Sequence, residues 1–109
     1  MPLSYSYSNF DEGDKELSNF AKALALPVRI AIIRIIMENN NAVNRELLWE
    51  IPFNMETINK HVAELKNLGI LKVQGFKGHI TYSIDESLFE HMAFRFAELF
   101  KHTRIFNIN

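Results

Sequence analysis

The sequence contains no cysteine, which excludes disulfides, thiolate zinc sites and thiol chemistry. It has no apolar run near the ~20 residues that a membrane-crossing helix needs. Its opening, MPLSYSYS, lacks the charged and apolar regions of an export signal, so a soluble cytoplasmic protein is expected. There is no phosphate-cradling glycine loop and no Ser/His/Asp spacing signature to nominate a nucleophile with its base, so the expectation is a protein that is not an enzyme. Internal repeats and low-complexity tracts are absent as well. The formal net charge of −1 lacks the basic excess that advertises a nucleic-acid partner, which directs attention to how charge is distributed.

The distribution is uneven. Residues 1–20 carry Asp11, Glu12, Asp14 and Glu16 against Lys15, net −3, whereas residues 55–80 carry Lys60, Lys66, Lys72 and Lys77 against Glu56 and Glu64, net +2. A chain of 109 residues that is 48% apolar makes one domain, small enough that a partner subunit would help to stabilise it. Residues 1–12 show no sustained period and are expected to form a flexible N-terminal arm, residues 13–104 the folded domain, and residues 105–109 a C-terminal tail.

Leu17, Phe20, Ala21 and Leu24 recur at helical spacing from about Asp14 to Ala25, giving a first amphipathic helix. PVRIAIIRIIMENN, apolar almost all round, gives a central second helix with Pro27 in its first turn. After the Asn39–Asn41 turn cluster, NRELLWEI makes a short third helix with Leu47, Leu48 and Ile51 inward. Pro52 stops that helix and Asn54 is placed to cap the next, with Phe53 and Ile58 spaced as a hydrophobic staple. Gly69 marks the end of the fourth helix as a Schellman-type cap, with Ile70 against Leu65.

On that fourth helix Met55, Ile58, Val62, Leu65 and Leu68 share one side; Glu56, Asn59, Lys60, Ala63 and Asn67 share the other. The second face suits a helix in the major groove, where Asn and Lys reach base edges and Ala permits close approach; alone, it equally describes a solvated helix. Past Gly69 the period becomes alternating, with Leu71, Val73, Ile80, Tyr82 and Ile84 separated by polar residues. This predicts a hairpin whose tip, Phe76-Lys77, is bracketed by Gly75 and Gly78. From Asp85 to about Lys101 the period is helical again, with Leu88, Phe89, Met92, Ala93, Phe96, Leu99 and Phe100 on one arc.

The order α-α-α-α-β-β-α, mainly α with a small β-hairpin, is that of a winged helix-turn-helix. The runs ALALPVRIAIIRII, RELLWEI, METINKHVAELKNLGILK and TYSI resemble the ArsR/SmtB-type family of dimeric bacterial transcriptional regulators across roughly residues 16–101. Where that family usually has serine and arginine, this chain has Asn59 and Lys60, which bears on the operator sequence more than on the activity. The resemblance implies a homodimeric regulator, in this family usually a repressor, that reads an operator in double-stranded DNA. Glu56, Thr57, Asn59, Lys60, Ala63 and Asn67 would lie in or beside the major groove, and Lys72, Lys77 and His79 on the wing. It also implies dimerisation through the first and last helices, in agreement with their apolar stripes: Leu17, Phe20, Leu24, Phe89, Met92, Phe96, Leu99 and Phe100.

Metal-sensing members of the family carry two cysteines on the helix before the recognition helix; Leu48 and Glu50 stand there in this chain. A second family site uses carboxylate and histidine ligands from paired terminal helices. His91 and His102 have its separation, but Phe89 and Ile105 occupy the flanking positions. His91, Glu98 and His102 share a polar ridge with Arg95, whose cation opposes a metal, so no metal or other cofactor is expected and Glu98 is expected to pair with Arg95 or His102. His61 is read as a packing or structural hydrogen-bonding residue, and Glu56 as either a cytosine contact or a complement to the helix dipole. Trp49 either packs or lines a ligand pocket. The alternative function is a winged helix used for protein interaction without DNA; an RNA-binding reading of Gly75–Gly78 fails because that loop joins strands, not helices. The sequence names no effector.

Overall fold

The computed structural model describes residues 9–103. Residues 1–8 of the expected arm lie outside them, as do the expected tail 105–109 and Ile105 within it.

The first helix, α1, spans Glu12–Ala23. It starts before the expected Asp14 because Asp11 caps it, its carboxylate accepting from the Gly13 amide at 3.0 Å. Next, α2 spans Pro27–Glu38 with proline in its first turn and buries Ile32, Ile33 and Ile36. It is the central helix that its all-round apolar composition predicts: it packs against the fourth helix on one side and the second strand on another. Of NRELLWEI only α3, Arg45–Leu48, is α-helical, with the Asn44 side chain capping Leu47. The chain then passes through a turn with Leu48 and Ile51 both buried.

The α2–α3 link is more structured than a turn cluster suggests. Asn40 and Asn41 have φ of 61° and 58°, the left-handed region that asparagine tolerates better than most residues. The Asn41 amide accepts from the Ile84 N–H at 2.6 Å and donates to the Ile84 carbonyl at 3.3 Å, so a side chain substitutes for a strand neighbour. Two residues on, Val43 exchanges backbone hydrogen bonds with Tyr82 at 3.0 and 2.8 Å.

The hairpin pairs β1, Leu71–Phe76, with β2, His79–Ile84, in antiparallel register: Leu71 faces Ile84, Val73 faces Tyr82 and Gly75 faces Ile80. Leu71, Tyr82 and Ile84 are buried and Val73 and Ile80 half-buried, as the alternation requires. The tip differs from expectation. Gly75 lies inside the ladder, and the turn is the two residues Lys77 and Gly78, with φ of 50° and 84°. Two positive φ values make a type I′ turn, whose twist matches the strands it joins.

The last helix, α5, spans Glu86–Phe100, capped by Asp85 through the Leu88 amide at 3.1 Å. It packs on α1, where the Phe20 ring meets Phe89 edge-on at 5.2 Å and Phe96 at 6.4 Å. The fully enclosed centre comprises Ile32 and Ile36 of α2, Leu48 of α3, Ile58 and Leu65 of the fourth helix, Ile70, and Met92 of α5. The seven elements in this order form a winged helix-turn-helix, and among the described residues no helix is long and apolar enough to cross a membrane.

Candidate nucleic-acid interface

The fourth helix, α4, spans Met55–Asn67 and is held at both ends as its sequence requires. Asn54 Oδ1 accepts from the Thr57 amide at 3.1 Å. At the far end Gly69 takes φ of 78°, the Ile70 amide donates to the Leu65 carbonyl at 2.9 Å and the Gly69 amide to the Lys66 carbonyl at 3.0 Å. That pair of bonds is the complete Schellman motif. The buried face is narrower than expected: Ile58, Val62 and Leu65 are enclosed, but Met55 and Leu68 are about half exposed. They sit on the end turns, beyond the reach of α2. Phe53 is also more than half exposed while Ile58 is fully buried, so burial gives no support to the staple.

The opposite face, Glu56, Asn59, Lys60, Ala63 and Asn67, is exposed along its length. Thr57 is half-buried at its edge. Lys72, Lys77 and His79 are exposed on the hairpin, which packs beside α4 through β1. Arg45, Asn59, Val62, Ala63, Lys66, Val73, Ile80 and Tyr82 line a cleft of about 380 Å³ between α4 and the wing. The face can donate hydrogen bonds from amides and ammonium groups and accept a close surface at Ala63, with Glu56 the one carboxylate in the expected reading set.

Three side-chain contacts invisible to local pattern fix this face to the scaffold. The Trp49 indole, just past α3, donates to Asn59 Oδ1 at 3.1 Å. Arg45, the first residue of α3, donates through Nε and Nη2 to the Tyr82 hydroxyl at 3.2 and 3.1 Å, tying α3 to the wing. Arg29 of α2 donates through Nε to His61 Nδ1 at 3.0 Å and through Nη1 to the Ala23 carbonyl at 3.0 Å. One guanidinium thus joins the end of α1 to α4. Burial, and secondarily the Arg29 charge, lower the His61 pKa below the usual imidazole value, with Glu64 opposing and Lys60 adding. A neutral imidazole is what the bond requires, because Nδ1 must be unprotonated to accept.

The second expected surface divides. Phe20 is 7% exposed and Met92 1%, both used up in the core of the protomer. This corrects their assignment to a subunit interface. Leu17, Leu24, Phe89 and Phe96 are half-buried against that core. Leu99 and Phe100 are exposed, Phe100 stacking on Phe96 at 5.9 Å. Phe94, outside the arc read from sequence, is the most exposed large apolar residue described, at 63%.

The polar ridge of α5 is arranged differently from expectation. Glu98 meets Lys101 at 3.4 Å instead of Arg95 or His102, and His91 meets Glu16 of α1 at 3.0 Å. Arg95 packs over Gly13 at the start of α1. Among the described residues no three His, Asp or Glu side chains converge as a metal site, His91, Glu98 and His102 included.

No family model matches the chain and no curated protein matches it. Solved structures do share its fold. The transcriptional repressor BigR from Xylella fastidiosa superposes with a TM-score of 0.63 at 18% identity, covering 88% of this chain and 97% of that one. The transcriptional repressor PagR of Bacillus anthracis gives 0.58 at 22%, covering 83% and 99%. A homodimeric winged helix-turn-helix DNA-binding domain from Mycobacterium bovis, described as a possible ArsR-family regulator, gives 0.62 at 16%, covering 100% and 99%. The fold that the sequence resemblance implied is therefore the fold of ArsR-type regulators.

Proposed function

We propose that this chain is a homodimeric transcriptional regulator of the ArsR type that binds an operator in double-stranded DNA. The observation that carries the reading is the exposed Asn59-Lys60-Ala63-Asn67 face of a doubly capped α4, set beside a wing bearing Lys72, Lys77 and His79. In this reading α4 enters the major groove, with Glu56 and Thr57 at its leading end, and the wing meets phosphate or minor groove. Residues 13–104 form the binding and dimerisation unit, with 1–12 as an arm and 105–109 as a tail. The protein works in the cytoplasm, without enzymatic activity, a membrane partner, a metal or another cofactor.

Repression is the direction favoured by analogy with BigR and PagR, both described as repressors. Dimerisation is favoured by the M. bovis homodimer and by the exposure of Phe94, Leu99 and Phe100 on a chain-terminal helix. Glu56 in the reading face and the net charge of −1 favour a second reading, a winged helix that binds protein without DNA. A gel shift on nonspecific duplex separates the two. Binding that weakens steeply with salt supports the DNA reading, and no retardation even at low salt overturns it.

A further inference from the structure

Asn59 is the amide at the middle of the α4 face, and an asparagine free to rotate offers a base both a donor and an acceptor. Adenine asks for that pair, through N7 and its amino group. Asn59 is not free in this protein. The Trp49 indole donates to its Oδ1 at 3.1 Å, and an indole N–H can only donate, so the amide must turn its oxygen toward α3. The nitrogen, on the other side of the planar amide, then faces away from the indole. The acceptor half of the group is committed inside the protein and the donor half is presented outward.

We infer that Trp49 is a positioning residue for base recognition: by holding Asn59 Oδ1 it converts an adenine-type reader into a donor-only reader. This rests on the DNA reading above. A donor-only amide is matched by guanine, whose major-groove edge presents two acceptors, or by the O4 of thymine. It meets adenine with one bond instead of two and is opposed by the amino group of cytosine. Trp49 does this without touching DNA, and its carrier is the link between α3 and α4, so the helix-turn-helix fixes the chemistry of the reading face as well as its angle.

The test is selection of bound sequences from random duplex with the wild type, Trp49→Phe and Asn59→Asp. Phenylalanine keeps the ring and removes the donor; aspartate keeps the acceptor for the indole and replaces the outward donor by an oxygen. The wild type is expected to favour guanine or thymine at one position of each half-site. Trp49→Phe is expected to raise adenine at that position about 5- to 100-fold, the scale of one bidentate contact, with nonspecific affinity and salt dependence unchanged. Asn59→Asp is expected to move the preference toward cytosine. An unchanged base preference in both variants, or a loss spread evenly over all sequences, overturns the inference while leaving DNA binding intact. A wild type that binds no duplex overturns the DNA reading, and this inference with it.

Trp49 is the sole tryptophan, so its indole N–H gives one assignable NMR resonance that reports the contact without DNA. Asn59→Ala is expected to shift that resonance and speed its hydrogen exchange. An unmoved resonance overturns the clamp even in a protein that folds normally.

Discussion

Arg29 and His61, 32 residues apart in sequence, are joined by a 3.0 Å bond from the guanidinium Nε to the imidazole Nδ1. The bond couples the start of α2 to the middle of the reading helix, and it exists only while the imidazole is neutral. The folded-state pKa of His61 is lowered by burial and then by Arg29. The unfolded chain therefore takes up its proton first as pH falls past the ordinary value near 6.5. The stabilisation is complete above that value and is lost as pH falls through the folded-state pKa. Urea unfolding at pH 5 to 8 should show the wild-type midpoint dropping more on acidification than that of His61→Gln, which can still accept from Arg29 but does not titrate. Parallel pH profiles would refute the coupling.

Glycine is required at one end of the wing and dispensable within it. Gly69 has φ of 78° with nothing within 4 Å of an added Cβ, so Gly69→Ala meets no clash but forces a left-handed backbone. The expected cost is about 1 kcal/mol. Gly75 has no positive φ and its nearest atom is the His79 carbonyl oxygen at 3.8 Å, so Gly75→Ala should stay within about 0.5 kcal/mol of the wild type. Equal losses in chemical denaturation would contradict the assignment of the turn to Lys77-Gly78.

Lys60→Ala and Lys77→Ala should each weaken duplex binding for every sequence about equally. Each should also lower the slope of log affinity against log salt by about 1, the signature of one lost phosphate contact. Fluorescence anisotropy titrations at several salt concentrations measure this, and unaltered slopes would count against the proposed footprint.

Interface and core on the terminal helices should separate by mutation. Leu99→Glu and Phe94→Ser alter side chains exposed by 61% and 63%, so they should leave urea stability of the protomer fold within about 0.5 kcal/mol and shift sedimentation from dimer to monomer. Phe20→Ala removes a ring packed between Phe89 and Phe96 and should cost about 3–5 kcal/mol of stability. A monomeric wild type at micromolar concentration would remove the dimer from the proposal.

The local devices were readable in order along the chain. Asn54 and Gly69 bound α4, Pro27 starts α2, and the alternation from Leu71 to Ile84 pairs two strands. In each, a residue type forces a backbone state within a few neighbours. Legibility fell wherever an outcome depended on a distant surface. Met55 and Leu68 continue the apolar stripe of α4 and yet are exposed, because a helix wheel says which side faces inward but not how far the opposing helix extends. The α5 arc read as one interface for the same reason. Phe20 turned out to occupy part of what α5 offers, leaving Leu99, Phe100 and the off-arc Phe94 uncovered.

The sequence by itself determined the seven elements, their caps and the outward face of α4, because period, propensity and capping act over distances shorter than a helix. The tertiary structure decided what that face offers. Trp49 reaches Asn59, Arg29 reaches His61 and Arg45 reaches Tyr82 across separations of 10, 32 and 37 residues. No local rule pairs such groups. Their hydrogen bonds exist only after the helices have packed around Ile32, Ile58 and Leu65, and they set which atoms of the reading helix remain available to a partner.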